Sequence, residues 1–142
     1  MELSGKLWSA RILAEVPELI ASVHLDYFRA GADIAISSSY QATPQGLSAA
    51  GFSLTESKRL LQLSVRLAQQ ARQTHLEEQE SAPAVSPLVS ASVGPYGAYL
   101  ADGSEYRGRY GLSKQALSDF HQPRIEWLME MAPDVLAFET LP

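Results

Sequence analysis

Between Val93 and Gly111 the chain reads VGPYGAYLADGSEYRGRYG, with five glycines, four tyrosines, two arginines and two acids. Tyrosine rings are rigid and amphipathic, and on a backbone hinged by glycine they suit a segment that covers a bound small molecule. Linkers and disordered tails are poor in aromatics and rich in Ser, Pro, Glu and Lys, so this composition argues against a linker. Long segments inside compact domains are otherwise lids or binding loops, with a bland surface excursion as the weaker alternative. Two further polar groups each follow a short apolar run: Ser37 to Thr43 (SSSYQAT) and Glu139 to Pro142 (ETLP). Their hydroxyls, amide and carboxylate can pair with a polar ligand.

The elements that must position these groups alternate between helical and strand periods. Pro17 is a favoured first-turn residue, Glu18 complements the helix dipole, and Ile20, Val23, His24, Tyr27 and Phe28 form an i, i+3, i+4 stripe stopped by Gly31. Asp33 to Ser39 reads as a short strand whose last three residues turn polar, followed by a brief turn or helix from Pro44 to Ala50. Ser53 and Glu56 make a capping box for a long helix to about Leu76. Its stripe is Leu60, Leu63, Leu67 and Ala71, with Lys58, Arg59, Arg66 and Gln69 outward. The acidic, then Ser/Ala/Pro-rich segment Glu77 to Pro87 is a solvent-exposed connection, and Leu88 to Val93 is the second strand. After the tyrosine-rich segment, Ser113 caps a helix through Met131 that Pro123 is expected to kink, and Val135 to Phe138 is the third strand.

This order without hairpin signals predicts an α/β fold with right-handed crossovers and about three adjacent parallel strands. Functional groups of parallel α/β folds gather at the carboxyl ends of the strands. Here those ends are Ser37 to Thr43, Gly94 to Gly111 and Glu139 to Pro142, whereas the connections around Gly51 and Ser81 to Pro87 carry nothing comparable. The asymmetry points to a small-molecule site.

Composition narrows the class. The 142 residues are 46% hydrophobic and 19% charged, as for one globular unit. No apolar run approaches the roughly 18 residues needed to span a bilayer, so no membrane partner is expected. Met1 to Ala10 mixes charges and lacks the apolar stretch of a signal peptide, which makes a cytoplasmic location the expectation. A net charge of −5 without a basic stripe excludes nucleic acid as an expected partner. The absence of cysteine removes disulfides, thiolate metal ligands and a cysteine nucleophile together.

The segments HLDYFRAGADIAISSSYQATPQGL, SVGPYGAYLADGSEYRGRYG and FETLP resemble the homocysteine S-methyltransferase family, particularly its S-methylmethionine-using branch, from about Leu7 to Pro142. The resemblance implies a (β/α)8 TIM barrel, a bound zinc ion, and methyl transfer from S-methylmethionine or S-adenosylmethionine to homocysteine, forming methionine. Zinc held by thiolates lowers the pKa of the substrate thiol and presents the thiolate that attacks carbon. By the same resemblance Glu139, with Thr140 beside it, receives the homocysteine ammonium group. The tyrosine-rich segment forms wall and cover of the site, with Gly94 at its start. Tyr96, Tyr99 and Tyr106 are candidates to face the sulfonium donor, a cation–π contact contributing about 0.5–2 kcal/mol. Ser38, Ser39, Tyr40 and Gln41 are the other candidates for lining the pocket.

The departures are as specific as the match. Family members begin with a strand carrying a Gly-Gly-x-x-Thr-type motif and supply three cysteine zinc ligands on later strands, and this chain has neither. Three strands cannot close a barrel of eight that typically takes about 250 residues. The expectation is therefore a single partial homocysteine-binding barrel domain over residues 1–142, lacking the first strand and the carboxyl-terminal strands. Its open sheet edges would expose unpaired main-chain groups and favour self-association. Zinc is not expected in this chain, because three dispersed histidines poorly replace thiolates. The alternative reading is an inactive truncated remnant or interaction fragment that needs a complementing chain; a self-contained doubly wound binding protein has only the alternating pattern behind it. Among single residues, His24 reads as a packed histidine, His75 as one meeting solvent and the helix dipole, and His121 as preceding a Pro-containing turn of helix. Trp8 and Trp127 read as packing, and Glu77, Glu78 and Glu80 as a solvated surface.

Overall fold

A computed structural model describes residues 8–81 and 83–142. Six helices and three strands follow one another in these residues: α1 (Trp8–Glu15), α2 (Pro17–Arg29), β1 (Ile34–Ile36), α3 (Pro44–Ala49), α4 (Leu54–Glu77), β2 (Leu88–Val93), α5 (Tyr96–Leu100), α6 (Lys114–Met129) and β3 (Val135–Phe138). The strands form one parallel sheet in the order β1-β2-β3. The expected α/β architecture with three parallel strands and intervening helices is what the chain adopts.

Register assigns the two faces of the sheet. Ala35 pairs with Val89 and Ala91 with Leu136, and these residues belong to the core that α2, α4 and α6 cover. The opposite face carries Ile34, Ile36, Leu88 and Val135, all substantially exposed, with Ser90 and Ser92 buried between them on the central strand. Side chains alternate across a strand, so a one-residue slip would exchange these two sets.

The long helix α4 starts as its sequence dictates: Glu56 N–H donates to Ser53 Oγ at 3.2 Å and Ser53 N–H to Glu56 Oε2 at 2.9 Å. The hydrogen bonds from Ser53 hold the Glu56 carboxyl below its ordinary range. Its buried face comprises Ser57, Leu60, Leu61, Ser64, Val65, Leu67, Ala68 and Ala71, wider than the four-residue stripe expected from the sequence. The width follows from position, because α4 packs against α2, α3, α6 and β2. Burying each of these leucines stabilises the fold by roughly 1.5–3 kcal/mol, which makes α4 the element that most of the core depends on.

Several boundaries differ from the expectations. The strand expected over Asp33 to Ser39 shortens to Ile34–Ile36, because the Ser37 and Ser39 hydroxyls bond to each other and to β2. On α2, His24 and Phe28 are buried, but Val23 and Tyr27 of the expected stripe remain exposed. Pro123 lies inside α6, where it removes one main-chain hydrogen bond, and the helix runs on through it but stops at Met129. α1 has no counterpart among the expected elements; the side chain of Trp8 lies outside the described residues, and Trp127 packs against the core. Among the described residues no helix is long and apolar enough to cross a membrane.

Candidate functional site

The carboxyl ends of the three strands converge on the central one. Ser37 Oγ lies 2.7 Å from Ser39 Oγ, Ser39 Oγ donates to the Ser92 carbonyl at 2.7 Å, and Ser92 N–H donates to Ser37 Oγ at 3.1 Å. These serines rivet the end of β1 to β2. On the other side Glu139 N–H continues the ladder to the Val93 carbonyl at 3.2 Å, and Ser92 Oγ donates to Glu139 Oε1 at 2.5 Å. A charge-assisted contact this short fixes the carboxylate at the mouth of the sheet. No hydrogen bond among the described residues engages its second oxygen.

Thr140, the next residue, has φ of 52°. A β-branched residue in the left-handed region is strained, at a cost of order 1–3 kcal/mol, and such strain persists where surroundings over-determine it. Tyr40 reaches the same place from the end of β1. Burial raises the pKa of its phenol; the Thr140 side chain opposes this, while Glu105, Tyr106 and Glu139 add to it. Gly94 is the floor under that ring. A Cβ at residue 94 would stand 2.6 Å from the Tyr40 carbonyl oxygen and 2.8 Å from two ring carbons, and Gly94 N–H donates to that same carbonyl at 3.3 Å.

The tyrosine-rich segment is more ordered than a loop. Pro95 precedes α5, Ala101 terminates it in the left-handed region at φ of 54°, and Asp102 Oδ1 accepts from Ser104 N–H at 2.9 Å to start a short 3-10 turn, Ser104–Tyr106. Tyr96 and Tyr99 are absorbed in an aromatic cluster: Tyr96 lies 4.8 Å from Phe120 of α6 and 5.4 Å from Tyr110, and Tyr99 lies 5.3 Å from Phe120. Their i, i+3 spacing was the signal for a helix turn with one face buried. Tyr106 instead is 75% exposed.

Of the predicted site residues, Ser39, Tyr40, Gly94, Glu139 and Thr140 are therefore brought together, and Tyr96 and Tyr99 anchor the segment beside them. Ser38 Oγ and Gln41 Oε1 are buried beside the same strand end without hydrogen-bond partners among the described residues. A cleft of about 380 Å³ lies between Pro95, Tyr96, Tyr110, His121, Leu141 and Pro142.

Arg124 was missed by sequence reasoning. It is fully buried, and its Nη2 donates to the Gly94 carbonyl and to His121 Nδ1, the latter at 2.7 Å. A guanidinium can only donate, so Nδ1 is the unprotonated nitrogen of His121 and the ring proton sits on Nε2. Burial, and then the neighbouring Arg124 charge, lowers the His121 pKa to about 4, and burial lowers that of Arg124 to about 10. The available signal was positional: Phe120, Arg124 and Leu128 form one i, i+4, i+8 row on α6, and the middle member is charged.

The residues present do not fit a zinc ion. The chain has no cysteine, and among the described residues no three of His, Asp and Glu are grouped to hold a metal. His24 is buried on α2, and His121 faces Arg124. His75, expected to meet solvent, is stacked on Phe28 at 5.9 Å, because the last turns of α4 lie against α2.

The family model described as homocysteine S-methyltransferase matches residues 1–142. Homocysteine S-methyltransferase of Escherichia coli K12 is 56% identical over 140 residues, and the match covers 99% of this chain and 44% of that protein. Homocysteine S-methyltransferase YbgG of Bacillus subtilis is 53% identical over 141 residues, covering 99% of this chain and 45% of its own length. The crystal structure of the homocysteine methyltransferase MmuM from Escherichia coli in its metallated form superposes with a TM-score of 0.92 at 55% identity, over 100% of this chain and 49% of that one. The chain thus spans less than half the length of the relatives it matches, and its three parallel strands are an arc of a (β/α)8 barrel. By sequence and by fold, the chain belongs to the homocysteine S-methyltransferase family.

Proposed function

We propose that residues 1–142 act as one partial barrel domain that supplies the homocysteine-binding part of a cytoplasmic methyltransferase of methionine biosynthesis, with S-methylmethionine or S-adenosylmethionine as donor; the first strand expected to be missing falls on residues outside those described. The observation that carries the reading is Glu139, whose one carboxylate oxygen is held by Ser92 beside a left-handed Thr140. A carboxylate fixed in this way receives a substrate ammonium group without reorganising, a contact of about 1.5–3 kcal/mol. Ser38, Ser39, Tyr40 and Gln41 line the acceptor pocket from the segment after β1; Gly94, Tyr96, Tyr99 and Tyr106 belong to its wall and cover. The zinc implied by the family has no ligand set among the residues described.

The test is a chimera in which this chain replaces the matched 44% of the Escherichia coli enzyme. It is expected to make methionine from homocysteine and S-methylmethionine, and Glu139→Gln should weaken homocysteine binding about ten- to a hundredfold. An unchanged Michaelis constant for homocysteine removes Glu139 from this role. A second reading, an inactive remnant or a fragment that needs a complementing chain, is favoured by the coverage of less than half of each relative. On that reading the chain alone is inactive and self-associates through β1 and β3, the two outer strands; sedimentation as a monomer at micromolar concentration counts against it.

A further inference from the structure

Arg124 contradicts the usual economy of a protein core. It occupies the inward row of α6 between Phe120 and Leu128, is 0% exposed, and no carboxylate among the described residues pairs with it. Its Nε and Nη1 have no hydrogen-bond partner among the described residues. A buried cation without a counter-charge costs several kcal/mol even after relaxation, and apolar residues of similar volume in such places are often neutral or stabilising. Packing alone therefore does not account for an arginine here.

What the side chain does reach is the Gly94 carbonyl, at the point where β2 ends and the tyrosine-rich segment begins. Gly94 is held through both of its flanking peptide groups: its carbonyl accepts from Arg124, and its N–H donates to the Tyr40 carbonyl. No side chain fits between Gly94 and the Tyr40 ring. A shift of Gly94 therefore moves Tyr40, which faces Thr140 and Glu139. The neutral nitrogen of His121 holds the same Nη2 from the other side. α6 packs against α4 and α5, so the clamp ties the mouth of the sheet to the helical layer.

We propose that Arg124 is a positioning residue: it clamps the Gly94 carbonyl and thereby sets Tyr40 against the Glu139 end of the site. Its importance for methyl transfer rests on the function proposed above; the clamp itself does not. The experiment compares Arg124→Met, which keeps the apolar stem and removes the charge, with Arg124→Lys, which keeps one charged donor. In the 142-residue chain, Arg124→Met is expected to speed hydrogen exchange of the Gly94 amide about tenfold or more. The Ser37 amide, bonded within the ladder to the Ser90 carbonyl at 2.8 Å, should be unchanged, and the melting temperature should not fall. Arg124→Lys should recover part of the Gly94 protection. In the chimera, Arg124→Met should raise the Michaelis constant for homocysteine at least tenfold at unchanged thermal stability, again with partial rescue by Arg124→Lys. Equal acceleration of the Gly94 and Ser37 amides with a lowered melting point would reduce Arg124 to a packing residue and overturn the clamp, as would an unchanged Gly94 amide. A clamp verified by exchange with an unchanged Michaelis constant would overturn the positioning role. An unsubstituted chimera without activity would instead count against the methyl-transfer reading, and the exchange result would still decide the clamp.

Discussion

Gly94→Ala isolates the geometry on which the site depends. The added methyl carbon would stand 2.6 Å from the Tyr40 carbonyl oxygen and 2.8 Å from two carbons of its ring. The ring can swing aside, but the carbonyl belongs to the backbone and can retreat only by stretching the bond from Gly94 N–H, already 3.3 Å long. Overpacking of this kind costs about 1–3 kcal/mol and the lost hydrogen bond about 0.5–1.5 kcal/mol. Alanine restricts the unfolded chain and returns about 0.4–1 kcal/mol. The net destabilisation is about 2 kcal/mol, a fall in melting temperature of roughly 6–8 °C for a domain of this size. Thermal and urea unfolding of the 142-residue chain measure it. The internal control is Gly31→Ala, where φ is +96° but no atom lies within 4 Å, so only the left-handed conformation is penalised, at about 1 kcal/mol. The opposite extreme is Gly97→Ala, whose methyl would run into the backbone of Glu105. The expected order of destabilisation is Gly97→Ala, then Gly94→Ala, then Gly31→Ala. A Gly94→Ala variant as stable as the parent would show that Tyr40 is not held against Gly94, and the derivation of the site from that contact would fail.

Ser39→Ala removes the hydroxyl that bonds Ser37 and the Ser92 carbonyl in a buried place, and should cost about 1–3 kcal/mol in urea unfolding; an effect below 0.5 kcal/mol, estimated as for a solvent-exposed serine, would deny it the rivet role. His121 has a pKa of about 4 in the folded protein against an ordinary 6.5, so between those values the unfolded chain binds more protons and stability falls as pH drops through that window. With allowance for screening of a partly exposed ring, about 1.5 kcal/mol is lost, and His121→Gln, which keeps an acceptor for Arg124 but cannot titrate, should flatten that part of the pH profile. Metal analysis of the chain after exposure to excess zinc and desalting should find well under one ion per molecule, since thiolates are absent and no His/Asp/Glu cluster replaces them among the described residues; one tightly held ion per chain would refute this.

How much of this was legible depended on whether a signal was local. The Ser53–Glu56 capping box needs only four residues in a row, and both of its bonds are present. The central strand Leu88–Val93 has the bounds expected from its apolar run between turn-forming neighbours. Pro17 marked the start of α2, but the same proline hid α1, which ends at Glu15 only two residues before it. In the tyrosine-rich segment, glycine content masked a helical spacing: Tyr96 and Tyr99 share one face of α5, and their partner Phe120 comes from another helix. Arg124 lay beyond local reasoning altogether, since its acceptor on Gly94 is thirty positions away and only the folded chain brings the two together. The convergence of Ser92 with Glu139 is of the same kind: the residue types were readable, and the 2.5 Å contact arises from parallel register.

Polar groups lie at both ends of the sheet, and the way they are satisfied separates their roles. At the amino end, Asp134 Oδ2 accepts from Val89 N–H at 2.7 Å and from Arg72 Nη1 at 2.6 Å, and these partners hold its carboxyl below the ordinary range. Both donors meet the same carboxylate, as expected of a structural tie that holds β2 to β3. At the carboxyl end the described residues leave Ser38 Oγ, Gln41 Oε1 and two nitrogens of Arg124 without partners among themselves, hold Thr140 in a strained conformation, and engage one oxygen of Glu139. Idle buried polar groups and a strained β-branched residue both cost stability, and where they fall beside one half-engaged carboxylate they need a compensating role. That is why the carboxyl end, and not the amino end, carries the proposed site.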